Sequence, residues 1–156
     1  MRALPARTEE FDSLIIRTDY SDEPAWQTVK VELAQLWDDE YEPNHQFVDD
    51  PAWAGATADE VLAAVDGMDD GPAVVFLADA TTMRAAHHAL LAVTTETEEE
   101  FRDGLDDDTI EFVREFRTVP VGVANIHVNL QLANMDFFEF ADNAAEDPEG
   151  VHRAFM

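Results

Sequence analysis

The run Ala73-Val74-Val75-Phe76-Leu77-Ala78-Asp79 is the most apolar stretch of the chain and the tightest constraint on its fold. Strand-length and without polar alternation, it suits a central strand buried on both faces, as in the middle of an α/β sheet. Ser13-Leu14-Ile15-Ile16-Arg17-Thr18-Asp19 is short, β-branched and closed by an acid, and reads as another strand. Ser21 and Asp22 then supply a cap, Pro24 suits a first turn, and Trp26, Val29, Leu33 and Leu36 recur at helical spacing. That helix is predicted to end near Trp37, where Asp38-Asp39-Glu40 and Pro43-Asn44 break the pattern. Gln46-Phe47-Val48-Asp49 is a second strand stopped by Pro51. Thr57 and Glu60 match a capping box before the apolar face of Val61, Leu62 and Val65, and Gly67 closes that helix.

Strand, helix, strand, helix, strand is the order of an α/β sandwich. The second half is less regular. Leu90-Leu91-Ala92-Val93 and Phe116-Arg117-Thr118-Val119 are further strand candidates, a hairpin around the acidic stretch 94–115, which reads as a surface loop with a short helix. Over residues 121–132 two periods compete. Asn125, His127, Asn129 and Gln131 alternate with Ile126, Val128, Leu130 and Leu132 as in a strand, while Pro120 opens a helix in which Val123, Ile126 and Leu130 share a face. Both readings stand at this stage. Asp136-Phe137-Phe138-Glu139 is a second capping-box pattern, and its helix ends at Asp147-Pro148-Glu149-Gly150, leaving Val151 to Phe155 to dock as a tail. The expected architecture is a single compact α/β domain over 1–156, with a β-α-β-α-β first half, a mixed sheet and C-terminal helices.

Its 35 acidic residues against 9 basic ones give a formal net charge of −26, and Lys30 is the only lysine. Such a field attracts basic partners, repels nucleic acid and anionic membrane, and loads the folded state with self-repulsion. A content of 46% hydrophobic and 10% aromatic residues, in clustered runs, separates the chain from charged disordered sequences. The absence of cysteine removes disulfides, thiolate metal sites and cysteine nucleophiles. The start carries no secretory pattern, and the longest charge-free segment, Thr118 to Met135, is too polar to span a bilayer. A cytoplasmic protein is expected.

Few residues point to catalysis. Ser13 and Ser21 are the only serines, neither in a nucleophile-elbow sequence, and Lys30 follows no glycine-rich loop. None of His45, His87, His88, His127 and His152 has the i, i+4 partner of a helical zinc motif. His127 is the stronger functional histidine, with a hydrogen-bonded structural role favoured; adjacent His87 and His88 read as a surface pair near a turn. Trp53 is either a lid on the core or an anchor for a partner.

The enzymatic alternative rests on strand-end acids. Asp19, Asp49 with Asp50, and Asp79 would share one edge of a parallel sheet, where they could hold Mg²⁺ for phosphoryl chemistry. Each is equally an ordinary cap or turn residue. A second alternative is that the acidity is only salt adaptation.

Phe47-Val48-Asp49-Asp50-Pro51, with Gly55-Ala56-Thr57 and Val61-Leu62 after it, and Ala133-Asn134-Met135-Asp136-Phe137-Phe138-Glu139-Phe140-Ala141-Asp142 resemble a family of small actinobacterial proteins that carry a domain of unknown function. Leu14 to Asp19 and Gly150 to Phe155 look like it as well, and the similarity weakens from Glu96 to Glu115. The resemblance implies one α/β domain and carries over no catalytic residues.

The favoured function is therefore non-enzymatic protein binding without a cofactor: an immunity-like or inhibitory partner of a basic protein, steered by its acids and binding neither nucleic acid nor membrane. The surface expected to do this holds Glu98, Glu99, Glu100, Asp106, Asp107 and Asp108.

Overall fold

In a computed structural model, which describes residue 4 and residues 12–34, 45–68, 71–103 and 111–153, the apolar run is central. Its strand β3 (Val74–Ala78), buried at every position, lies between β1 (Ser13–Arg17) and β4 (Leu90–Thr94). With β2 (His45–Val48), β5 (Glu115–Thr118) and β6 (Val151–His152), the described residues form one six-stranded sheet in the order β2-β1-β3-β4-β5-β6. β2, β1 and β3 are parallel; β3, β4 and β5 are successively antiparallel; β6 runs parallel to β5. The result is the expected mixed α/β sheet, with β4 and β5 as its hairpin.

Alternation along the strands splits the core in two. Ile15, Val74, Phe76, Ala78, Leu90, Ala92 and Phe116 meet α1 (Glu23–Leu33), α5 (Val123–Gln131) and α6 (Phe137–Glu146). On the other face Leu14, Ile16, Val75, Leu77 and Val93 meet α2 (Ala58–Asp66) and Trp53, which closes a 3₁₀ turn at Pro51–Trp53. Trp53, 2% exposed, is thus a lid on the core.

Local chemistry sets the helix ends. The Asp22 carboxylate accepts from Ala25 N–H at 3.0 Å to start α1, and Trp26, Val29 and Leu33 form its buried face. α1 stops at Leu33, where His45 Nε2 donates to the Leu33 carbonyl at 2.9 Å; Leu36 and Trp37 lie outside the described residues. Thr57 Oγ1 accepts from Glu60 N–H at 3.2 Å to start α2. The tail docks as β6, with Val151 and His152 in register with Arg117 and Thr118.

Residues 121–132 are helical. Ile126 and His127 are both fully buried, and Asn129 donates back to the Asn125 carbonyl at 2.8 Å, one turn away. A strand would have sent Ile126 and His127 to opposite faces. A short helix, α3 (Ala80–Arg84), follows β3 where the sequence carried no helical period. α4 (Glu98–Asp103) is the short helix expected in the acidic stretch.

At Gly122 the chain passes so close to β5 and β6 that an added Cβ would lie 2.7 Å from Thr118 Oγ1 and 3.3 Å from His152 Cδ2. Thr118 and His152 are both fully buried, so neither yields easily. Gly122→Ala is expected to cost about 2 kcal/mol through overpacking, read as a lower urea midpoint at unchanged slope. An unchanged midpoint would show that this junction is slack.

Candidate functional site

Parallel β1, β2 and β3 bring Asp19, Asp49, Asp50 and Asp79 to one edge of the sheet, as their strand-end positions require. Two arginines and several backbone donors then take them up. Arg17 is 3% exposed; its Nη1 lies 3.3 Å from Asp49 Oδ1, its Nη2 2.8 Å from Glu23 Oε2, and its Nε donates to the Asp19 carbonyl at 3.1 Å. The guanidinium sits 4.1 Å from the centre of the Tyr20 ring and 5.2 Å from that of Trp26, whose Nε1 donates to Asp49 Oδ2 at 3.3 Å. Asp19 accepts from Ser21 N–H at 2.8 Å, and Asp50 caps the 3₁₀ turn through Ala52 N–H at 3.0 Å.

Asp79 caps α3 through Thr82 N–H at 3.1 Å and holds Arg117 by a two-pronged pair at 2.7 and 2.8 Å. Burial alone would raise its pKa, but Arg117 and the Thr82 donors outweigh burial and hold it below the usual carboxylate range. Burial, with the nearby Asp49 charge, pushes the Tyr20 phenol up to about 12. The four aspartates therefore serve as caps and arginine partners. Among the described residues no group of three or more His, Asp or Glu is placed to hold a metal ion. A cation using Asp49 or Asp79 would have to displace Arg17 or Arg117.

The histidines have structural settings too. His87 Nδ1 accepts from Ala89 N–H at 3.1 Å and His88 Nδ1 donates to the Thr82 carbonyl at 2.9 Å, shaping the turn into β4. His127 is fully buried in α5.

A different arrangement lies at the opposite end of the sheet. Beyond β4 the chain turns through Glu96 into α4, and the start of α6 comes up beside it. Phe101 of α4 packs 5.3 Å from Phe112 and 6.2 Å from Phe138, measured between ring centres. With Phe137 these rings wall a hollow of about 60 Å³ whose polar lining includes Glu96 and Asp136. A neighbouring hollow of about 150 Å³ shares Glu96, Asp136 and Phe137. Partial burial, then repulsion from Glu100 and Asp136, raises the Glu96 pKa. Carboxylates here crowd one another beside aromatic rings, which is chemistry that a positive charge relieves.

Glu98, Glu99 and Glu100 form the exposed first turn of α4, the helix that gives Phe101 to this hollow, with Thr97 Oγ1 accepting from Glu100 N–H at 3.2 Å. Asp106, Asp107 and Asp108, the other half of the expected surface, lie outside the described residues. The aromatic wall itself was missed by sequence reasoning, because Phe101, Phe112 and Phe137 with Phe138 come from three separate segments.

Fold and site define a single mixed α/β domain with a core on each sheet face, an arginine-tied parallel edge and an acid-rimmed aromatic hollow opposite. The chain belongs to the DUF6924 family, a domain of unknown function, whose profile matches residues 12–155. No curated protein matches it by sequence. Among the described residues no helix is long and apolar enough to cross a membrane.

Proposed function

We propose that this is a non-enzymatic protein of the actinobacterial cytoplasm that binds a basic protein, as an immunity-like or inhibitory partner. The hollow formed by Phe101, Phe112, Phe137 and Phe138 with Glu96 and Asp136 is the observation that carries the reading. Arg102 already lies over the Phe101 ring, 5.3 Å from its centre. A partner's lysine or arginine tip seated in the hollow gains the other ring faces and the carboxylates together, worth about 1–2 kcal/mol for the cation–π part when desolvated. It also relieves the repulsion that Glu96 feels from Glu100 and Asp136. The net charge of −26 supplies long-range attraction, and Glu98, Glu99 and Glu100 add to it on the first turn of the helix that carries Phe101. A nucleic-acid or anionic-lipid partner would meet the same field as repulsion.

Capture from host lysate with the tagged protein, washed at low and then high salt, should retain one stoichiometric basic protein that salt releases. Against that protein, replacing Glu98, Glu99 and Glu100 by lysine is expected to slow association by about tenfold or more and flatten its salt dependence. Phe138→Ala should instead speed dissociation, since it removes a wall of the hollow and leaves the field intact. Circular dichroism checks that both variants fold. Unchanged kinetics in both would overturn the reading, and an empty capture at low salt would leave the acidity as salt adaptation.

A further inference from the structure

Among the described residues, the hairpin partner β5 is only half covered on its outer side. Thr94 N–H donates to the Arg114 carbonyl at 3.0 Å, so residues facing β4 alternate from Arg114 to Phe116 to Thr118, and the N–H and C=O of Glu115 point away from β4. β6 begins opposite Arg117, two residues beyond Glu115. Among the described residues no strand pairs with β5 at Glu115. Beside this free edge runs an open groove of about 600 Å³, between Glu111, Val113 and Glu115 on one side and Ala141, Asp142 and Ala145 of α6 on the other. The alanines keep the α6 wall low.

We infer that this groove takes an extended, lysine- or arginine-bearing segment of a partner protein as an added strand on β5. The inference rests on the basic-partner reading above and specifies its docking mode. Strand addition draws affinity from main-chain hydrogen bonds and specificity from alternate side chains. Charge selects the occupant. Glu111 and Asp142 are exposed in the groove, with Glu115 beside them at 3.6 Å from Arg114, whereas the one described arginine lining the groove, Arg117, is neutralised by Asp79. A second copy of this chain, also at −26, is repelled from the same edge. The acids that keep like chains off an open edge are the ones a basic strand would satisfy. Val113 lines both this groove and the aromatic hollow, so one partner can reach both.

The test uses the full chain and two blocked hexapeptides of alternating lysine and valine, one of them N-methylated at alternate amides. Both peptides carry the same charge, but only the unmodified one can pair as a strand. At low ionic strength the unmodified peptide should bind about tenfold or more tightly, and should slow exchange of the Glu115 amide proton while its methylated twin does not. Replacing Glu111, Glu115 and Asp142 by their amides should weaken the unmodified peptide. Equal affinity of the two peptides, with both lost in Phe138→Ala, would overturn strand addition and leave the hollow as the docking site. Failure of the unmodified peptide to bind at low ionic strength would also overturn it, whatever the lysate capture returns.

Discussion

Removing the negative charges around Arg17, by Glu23→Gln together with Asp49→Asn, is expected to destabilise the fold and lower its melting temperature by several degrees. The cost comes from what is left behind. Arg17 sits in β1 with 4% of its side chain exposed, so without these carboxylates a guanidinium stays buried against Tyr20 and Trp26 with no counter-charge at bonding distance among the described residues. The amides keep the shapes but one oxygen each, so the Asp49→Asn side chain can accept from Trp26 Nε1 or from Arg17 Nη1 and turns an N–H donor to the other, a lost hydrogen bond that adds to the lost charge. Arg17→Met should cost less, because Glu23 and Asp49 are 60% and 42% exposed and rehydrate when their partner leaves. Adding Arg17→Met to the double amide variant should then recover stability. Losses that simply add would show that Arg17 acts through its packing alone.

The same arginine shows where the sequence was legible and where it was not. A charged residue amid Leu14, Ile15, Ile16 and Thr18 has to be paired if that run is a buried strand, so the signal for Arg17 was present. It was overshadowed by the acids at the strand ends, which suggested a metal when they were arginine partners and caps. Strands with β-branched runs and helices with explicit caps could be read directly, because both depend on residues close in sequence. The segment 121–132 could not, since its alternation and its helical spacing share Ile126 and Leu130, and only packing against the sheet chooses between them. α3 is five residues long, too short for any period to show. The acidic half of the candidate site, Glu98 to Glu100, is contiguous and was visible; its aromatic half depends on α4, the approach to β5 and the start of α6 meeting in space.

Acid should loosen the C-terminal end of the sheet through His152. This side chain is fully buried on β6, its Nδ1 donating to Asn143 Oδ1 at 2.8 Å, with Phe140 and Phe116 at 5.3 and 6.3 Å between ring centres and Gly122 packed against it. From α6, β5 and the Gly122 turn it therefore meets an amide, two phenyl rings and backbone, none of them ionised. Burial drops its pKa to about 4, against an ordinary value of 6.5. The unfolded chain accordingly takes the proton first as pH falls. Stability is complete above pH 6.5, declines from there toward pH 4, and loses about 3 kcal/mol in all at about 1.36 kcal/mol per pH unit. Two effects run the other way. Protonating carboxylates relieves the self-repulsion of the −26 charge, and Glu96, raised when folded, takes its proton earlier in the native state. Comparison with His152→Gln, which keeps a polar group and cannot titrate, cancels both. Urea melts in high salt should give a gap between wild type and variant that shifts against wild type by about 2 kcal/mol from pH 7 to pH 5. Parallel curves would mean that His152 is protonated as readily in the folded protein as in the unfolded chain, and that β6 opens to water far more often than its burial implies.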